Sequence, residues 1–86
     1  MHARWTPLFI KDYKKLTLQL KKRVIKQVQL LSQNPRHPSL HIKKIRSARN
    51  IFEGRISKSC RFTFHIEQDA LVLRRVGEHD KTLKNP

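Results

Sequence analysis

Apolar residues recur at helical spacing in the first part of this chain and alternate with polar ones in the second. Residues 2–5 are short, end in Trp5 and predict an opening strand. Thr6-Pro7 marks a helix start, because Thr accepts from the first unpaired amides and Pro at the first helical position loses no hydrogen bond. Phe9, Tyr13 and Leu16 follow at helical spacing and read as core. Thr17 is placed to cap a second helix, in which Leu20, Val24, Val28 and Leu31 form one stripe with Ile25 beside it. Lys21, Lys22, Arg23 and Lys26 fall mostly on its wet face. Asn34-Pro35 ends the helix, since a residue before Pro avoids the helical region.

After a loop over 34–39 the period changes to two. Leu40, Ile42 and Ile45 alternate with polar residues, and Ser47-Ala48-Arg49-Asn50 interrupts the pattern. Residues 51–57 read as a strand and Lys58-Ser59 as a two-residue turn. Cys60 to Glu67 is the clearest strand, with Phe62, Phe64 and Ile66 on one face and Arg61, Thr63 and His65 on the other. Gln68-Asp69 turns the chain, Ala70 to Val76 forms a last strand, and Gly77 ends it. Helices grouped before a meander predict an α+β domain spanning residues 1–86. In it an N-terminal strand and a two-helix hairpin pack on one face of an antiparallel sheet of about four strands. The opposite sheet face, carrying Arg61 and His65, is left for a partner.

Composition adds a partner class. Lys and Arg number 20 against 6 Asp and Glu, a formal net charge of +14 on 86 residues. The charge is no tail: after Arg4, seven cations lie from Lys11 to Lys26, eight from Arg36 to Arg61 and four from Arg74 to Lys84. Such a field opposes compaction, so its use lies with a polyanion, most commonly nucleic acid. Cys60 is the only cysteine, which rules out an intrachain disulfide and agrees with a reducing cytoplasm. No apolar run approaches the roughly 20 residues of a membrane span, and the N-terminus lacks the apolar stretch of a secretory signal.

Several chemistries drop out. Gly54 and Gly77 are the only glycines, so there is no phosphate-cradling glycine loop. No His/Cys spacing suits zinc; His37 and His41 straddle Pro38 in the loop. What remains suits cofactor-free and metal-free cutting of a phosphodiester by RNA's own 2′-hydroxyl. That needs a base, an acid, and cations for the charge growing on phosphorus. Arg55 and Arg61 fall on neighbouring strands of the hairpin and have the fork that matches phosphate oxygens. His79 follows the last strand and has a side chain suited to proton transfer near neutrality. Lys43, Lys44, Lys58, His65, Arg74 and Lys81 are candidate RNA contacts. Glu53 lies beside the arginine pair by the two-residue period, as an ion-pair partner or a base. Cys60 reads as packing.

Four segments then carry a resemblance. They are Ser39 to Ile45, Phe52-Glu53-Gly54-Arg55-Ile56, Cys60-Arg61-Phe62-Thr63-Phe64, and Leu73 to Asp80 with its Val76-Gly77-Glu78-His79. In this order, behind a strand–helix–helix opening, the chain resembles the RelE/ParE superfamily of bacterial toxin–antitoxin toxins over nearly its whole length. The resemblance implies a cytoplasmic mRNA interferase that enters the ribosomal A site, cleaves mRNA without metal and leaves a 2′,3′-cyclic phosphate. It implies that Arg61 binds the scissile phosphate, that Arg55 takes a position held by Lys or His in active members, and that His79 is the general acid. Lys43 or Lys44 falls near a further basic position. It also implies an acidic, partly disordered antitoxin that wraps the toxin. The chain departs from the pattern at Leu83 and Cys60, where members often carry aromatic residues. The ParE branch, which poisons DNA gyrase, is the alternative, as is a weakened member that binds RNA or antitoxin without cutting.

Overall fold

Thr6 and Thr17 cap two helices as the sequence predicts, in a computed structural model that describes residues 1–86. The Thr6 hydroxyl accepts from the Phe9 N–H and opens α1 (Pro7–Lys14). The Thr17 hydroxyl accepts from the Leu20 N–H and opens α2 (Leu18–Gln33), which stops at Asn34 before Pro35. Ahead of them runs β1 (His2–Trp5). A 3-10 turn (Pro38–Leu40) leads to β2 (Lys43–Lys44), β3 (Phe52–Arg55), β4 (Cys60–Glu67), β5 (Ala70–Glu78) and a terminal α3 (His79–Lys84). The α+β architecture follows the sequence reading.

One sheet of five strands runs in the order β1-β5-β4-β3-β2, one strand more than expected. All neighbours are antiparallel except β1, which lies parallel to β5. Where β1 ends, α1 takes over the exposed edge of β5. The Thr6 hydroxyl donates to the Leu73 carbonyl at 2.7 Å, and Asp12 accepts from the Val76 N–H at 3.2 Å. Asp12 also receives both arms of Arg75, at 2.7 and 3.2 Å. The edge is thus satisfied by side chains where no strand remains to pair with it.

The core sits between the helices and one sheet face. Phe9 of α1, Val24, Val28 and Leu31 of α2, and Phe62, Phe64, Leu71, Leu73 and Val76 of the sheet are buried together. Trp5 packs edge-on against Phe9 and Tyr13. Each such side chain contributes about 1.5–3 kcal/mol by leaving water. The spacing from Leu73 to Val76 breaks strict alternation because the ladder shifts: Thr63 opposes Arg75, but Phe64 opposes Leu73. Arg74 is the additional residue, and this bulge returns Val76 to the core face. Gly54 lies opposite Phe62, and a Cβ there would come within 2.4 Å of the Phe62 ring, so the strand needs a glycine at this point.

Four expectations are corrected. The first strand of the hairpin ends at Arg55, and the turn runs over 56–59 because Ile56 is fully buried and draws the chain inward. The last strand continues through Gly77 to Glu78. The face opposite the helices is partly covered by α3, so Thr63 is fully buried, its hydroxyl donating to the Pro86 oxygen at 2.9 Å. Arg23 does not simply face water: its Nε donates to the Ile56 carbonyl at 2.9 Å. No helix is long and apolar enough to cross a membrane.

Candidate active site

The ladder between β3 and β4 pairs Arg55 with Arg61, and Glu53 with Thr63. By the alternation of strands all four side chains leave the sheet on the face away from α1 and α2. Lys43 joins them, because β2 pairs it with Glu53. His41, Ile42, Lys43, Glu53, Arg55 and Arg61 line one hollow of about 250 Å³. It thus gathers three permanent cations around one carboxylate.

Each member is held differently. The Arg61 guanidinium folds toward the 56–59 turn, where Nη1 donates to the carbonyls of Ser57, Lys58 and Cys60. This fixes the turn and the position of the charge together. Arg55 is held through its backbone: its carbonyl accepts from Gln27 Nε2 at 2.9 Å, and the same amide reaches the Ser39 carbonyl at 3.3 Å. Gln27 and Arg23 stand one helical turn apart on α2 and grip consecutive carbonyls, those of Arg55 and Ile56. Glu53 is only 4% exposed, and its Oε1 pairs with Lys43 Nζ at 3.3 Å. Glu53 Oε2 and Arg55 Nε are buried without a hydrogen-bond partner. His41 enters the hollow on a left-handed backbone, φ 46°, after the 3-10 turn.

The remaining sequence candidates are spread over other parts of the surface. His79 does not line the hollow. It opens α3, its N–H donates to the Ser59 carbonyl at 2.9 Å, and its ring contacts Asp80 at 3.1 Å. It therefore stands across from the end of the turn that Arg61 secures. Lys58 is exposed on that turn. Lys44 pairs with Phe52 and borders a separate depression with Arg46 and Arg49. His65 and Arg74 meet at 2.9 Å in a larger cleft of about 680 Å³, shared with Arg75 and Lys84. Lys81 belongs to a third, beside Asp12 and Glu78. Cys60 is buried in the core, where burial pushes its thiol above the ordinary 9.0 while Arg61 and the Gly77 N–H partly oppose the rise.

Sequence reasoning missed His41, Gln27 and Arg23 as parts of this site. Gln27 carried one usable signal, a polar residue beside the apolar stripe of Val24, Val28 and Leu31. No group of three or more His, Cys, Asp or Glu side chains is arranged to hold a metal ion.

No family model and no curated protein matches this sequence. Solved structures do match its shape. A copper-bound mutant toxin from Helicobacter pylori superposes with a TM-score of 0.80 at 20% identity, over 94% of this chain and 97% of that one. YafQ from E. coli gives 0.77 at 15% identity, over 92% and 93%. The toxin of the RelB-RelE complex from Methanococcus jannaschii gives 0.71 at 22% identity, over 95% and 98%. The superpositions cover nine-tenths or more of both chains, and the chain has the fold of the RelE-like toxins.

Proposed function

We propose that this protein is the toxin of a toxin–antitoxin pair and acts as a ribosome-dependent endoribonuclease, cleaving mRNA in the A site without a metal ion. One observation carries the reading: Arg55 and Arg61, opposed across β3 and β4, share a hollow with Lys43 on the exposed side of the sheet. Guanidinium groups there bind the phosphate between two nucleotides and offset the charge that grows on phosphorus as the 2′-oxygen attacks. The backbone grip of Gln27 and the carbonyl contacts of Arg61 hold that charge in place before substrate arrives, which spares reorganisation during the reaction. His79, across the turn from Arg61, gives the departing 5′-oxygen its proton. Lys44, Lys58, His65, Arg74 and Lys81 contact the flanking RNA and the ribosome.

The fold neighbours include toxins crystallised with their antitoxins, RelB with RelE and DinJ with YafQ. An acidic antitoxin in the cytoplasm suits a surface of +14, since opposite charge speeds encounter and enforces partner choice.

Inducing the chain in cells tests the reading. Growth arrest with new mRNA 5′ ends inside coding sequence, mapped by primer extension, is the expected result, with supercoiling by purified gyrase unchanged. Arg61→Ala and His79→Ala relieve the arrest while circular dichroism stays native. Inhibited gyrase with intact mRNA moves the protein to the ParE-like alternative, and bound but uncut RNA marks a weakened member. Full toxicity in both variants refutes the assigned residues.

A further inference from the structure

We propose that Glu53 is the base that removes the proton from the 2′-hydroxyl of RNA in the hollow, and that Lys43 holds its carboxylate in reserve until a phosphate arrives. The inference rests on the reading that the hollow takes a phosphodiester.

Glu53 sits in the middle of a four-residue strand with 4% of its surface exposed. A carboxylate so placed is retained only with partners. It has one, Lys43 Nζ on Oε1, while Oε2 has none. Two residues along the same face, Arg55 Nε is buried and equally without a partner. Just behind the wall of the hollow lie one unused acceptor and one unused donor, which a movement of the covering side chains uncovers, a combination that fits few ligands. Free phosphate can offer both through its P–OH, but it carries no ester bond to cut. A DNA strand supplies phosphate without the neighbouring hydroxyl. A ribonucleotide supplies both at adjacent positions: its 2′-hydroxyl donates to Glu53 Oε2, and an oxygen of its 3′-phosphate accepts from Arg55 Nε.

Charge keeps the site attractive to phosphate despite the carboxylate, because Lys43, Arg55 and Arg61 outnumber Glu53. Lys43 is the movable part. Its side chain is 73% exposed on a two-residue edge strand, so an incoming phosphate draws the ammonium away and uncovers the carboxylate. The step balances within the complex. The O2′–H bond breaks and its proton goes to Oε2. The 2′-oxygen bonds to phosphorus, and the P–O5′ bond breaks to give the 2′,3′-cyclic phosphate. The 5′-oxygen takes a proton from His79 or water, and Glu53 returns its own to solvent.

Single-turnover cleavage of mRNA on programmed ribosomes decides the matter, together with binding of short single-stranded RNA. Glu53→Gln keeps the shape of the side chain and is expected to slow cleavage about 10²–10⁴-fold. RNA affinity should hold or rise, since an anion has been removed. The rise of log rate with pH on the acid side should flatten in this variant, and Glu53→Asp should restore part of the rate. A purely structural Glu53 lowers rate, affinity and melting temperature together and leaves the profile's shape intact. Binding of wild-type protein to an oligonucleotide lacking only the scissile 2′-hydroxyl gives a reading independent of the variant's folding. A loss of about tenfold or more is expected there. Cleavage by Glu53→Gln within threefold of wild type, or equal binding of the 2′-deoxy oligonucleotide, overturns the assignment while leaving the nuclease reading standing. A wild-type protein that cuts no RNA removes both.

Discussion

Cys60 borders the candidate site in sequence and is absent from it in space. It precedes Arg61, yet its thiol turns into the core beneath the hairpin. Burial raises its pKa, and this outweighs the pull of Arg61 and of the Gly77 N–H. A raised value keeps the folded thiol protonated at pH where the unfolded thiol ionises. Its contribution to stability is therefore complete below the ordinary 9.0 and declines as pH rises above it. The thiolate is the nucleophile, so native protein at pH 9 should react with iodoacetamide far more slowly than protein in urea. Equal rates would mean that the thiol is neither buried nor raised. The same residue shows what single positions disclose in a sequence. Arg55 and Arg61 were legible as a pair because a short turn fixes their register. His41 was not, because nothing in Pro38-Ser39-Leu40 announces the left-handed backbone at φ 46° that brings it to the hollow. Glu53 was visible beside the arginines, but its burial depends on β2, and a two-residue strand leaves almost no period to read.

The elements differ in how far local signals determined them. The caps, Pro7 and the α2 stripe are local chemistry, and both helices start where the sequence places them. The terminal helix α3 is not local. It has six residues, is capped by Glu78 and is held by contacts far along the chain, from Thr63 to Pro86 and from the His79 N–H to the Ser59 carbonyl. A run so short has too little periodicity to stand out. The bulge at Arg74 likewise needs β4 beside it before the odd spacing of Leu73 and Val76 makes sense. The two threonine caps separate local from tertiary contributions. Thr17 only caps α2, whereas Thr6 caps α1 and also donates to the Leu73 carbonyl at the sheet edge. Thr17→Ala should cost about 1 kcal/mol. Thr6→Ala should cost roughly twice that, because the part-buried Leu73 carbonyl also loses its shorter hydrogen bond and keeps only the Thr6 N–H at 3.4 Å. Urea denaturation of the two variants compares them directly. Equal losses would show that the Leu73 bond adds nothing and that α1 is tied to the sheet by packing and by Asp12.

At the scale of the whole molecule the charge is the least compensated property. Of the acidic side chains, Asp12 is spent on Arg75, Glu53 on Lys43, Glu67 on Arg4 and Glu78 on the cap of α3. Little is left to offset the cations that ring the hollow and the neighbouring cleft. Those two sites lie on the same sheet face, reached by strands β3 to β5. The hollow spans only strands β2 to β4, through Lys43, Glu53, Arg55 and Arg61, so a longer RNA strand has to continue across the surface. Salt dependence measures how far it continues. Each phosphate neutralised on a single strand contributes about −0.7 to the slope of log affinity against log salt. Contacts confined to Lys43, Arg55 and Arg61 give a slope of roughly −2. Adding Arg74 and Lys84 from the cleft brings it to roughly −3.5. Arg75 is left out of that sum because Asp12 already holds it. The steeper value is expected for a single-stranded oligonucleotide long enough to cross the sheet, with Lys84→Ala reducing its magnitude by about 0.7. A slope near −2, unmoved by Lys84→Ala, would confine the RNA to the hollow and leave the rest of the positive surface to an acidic protein partner.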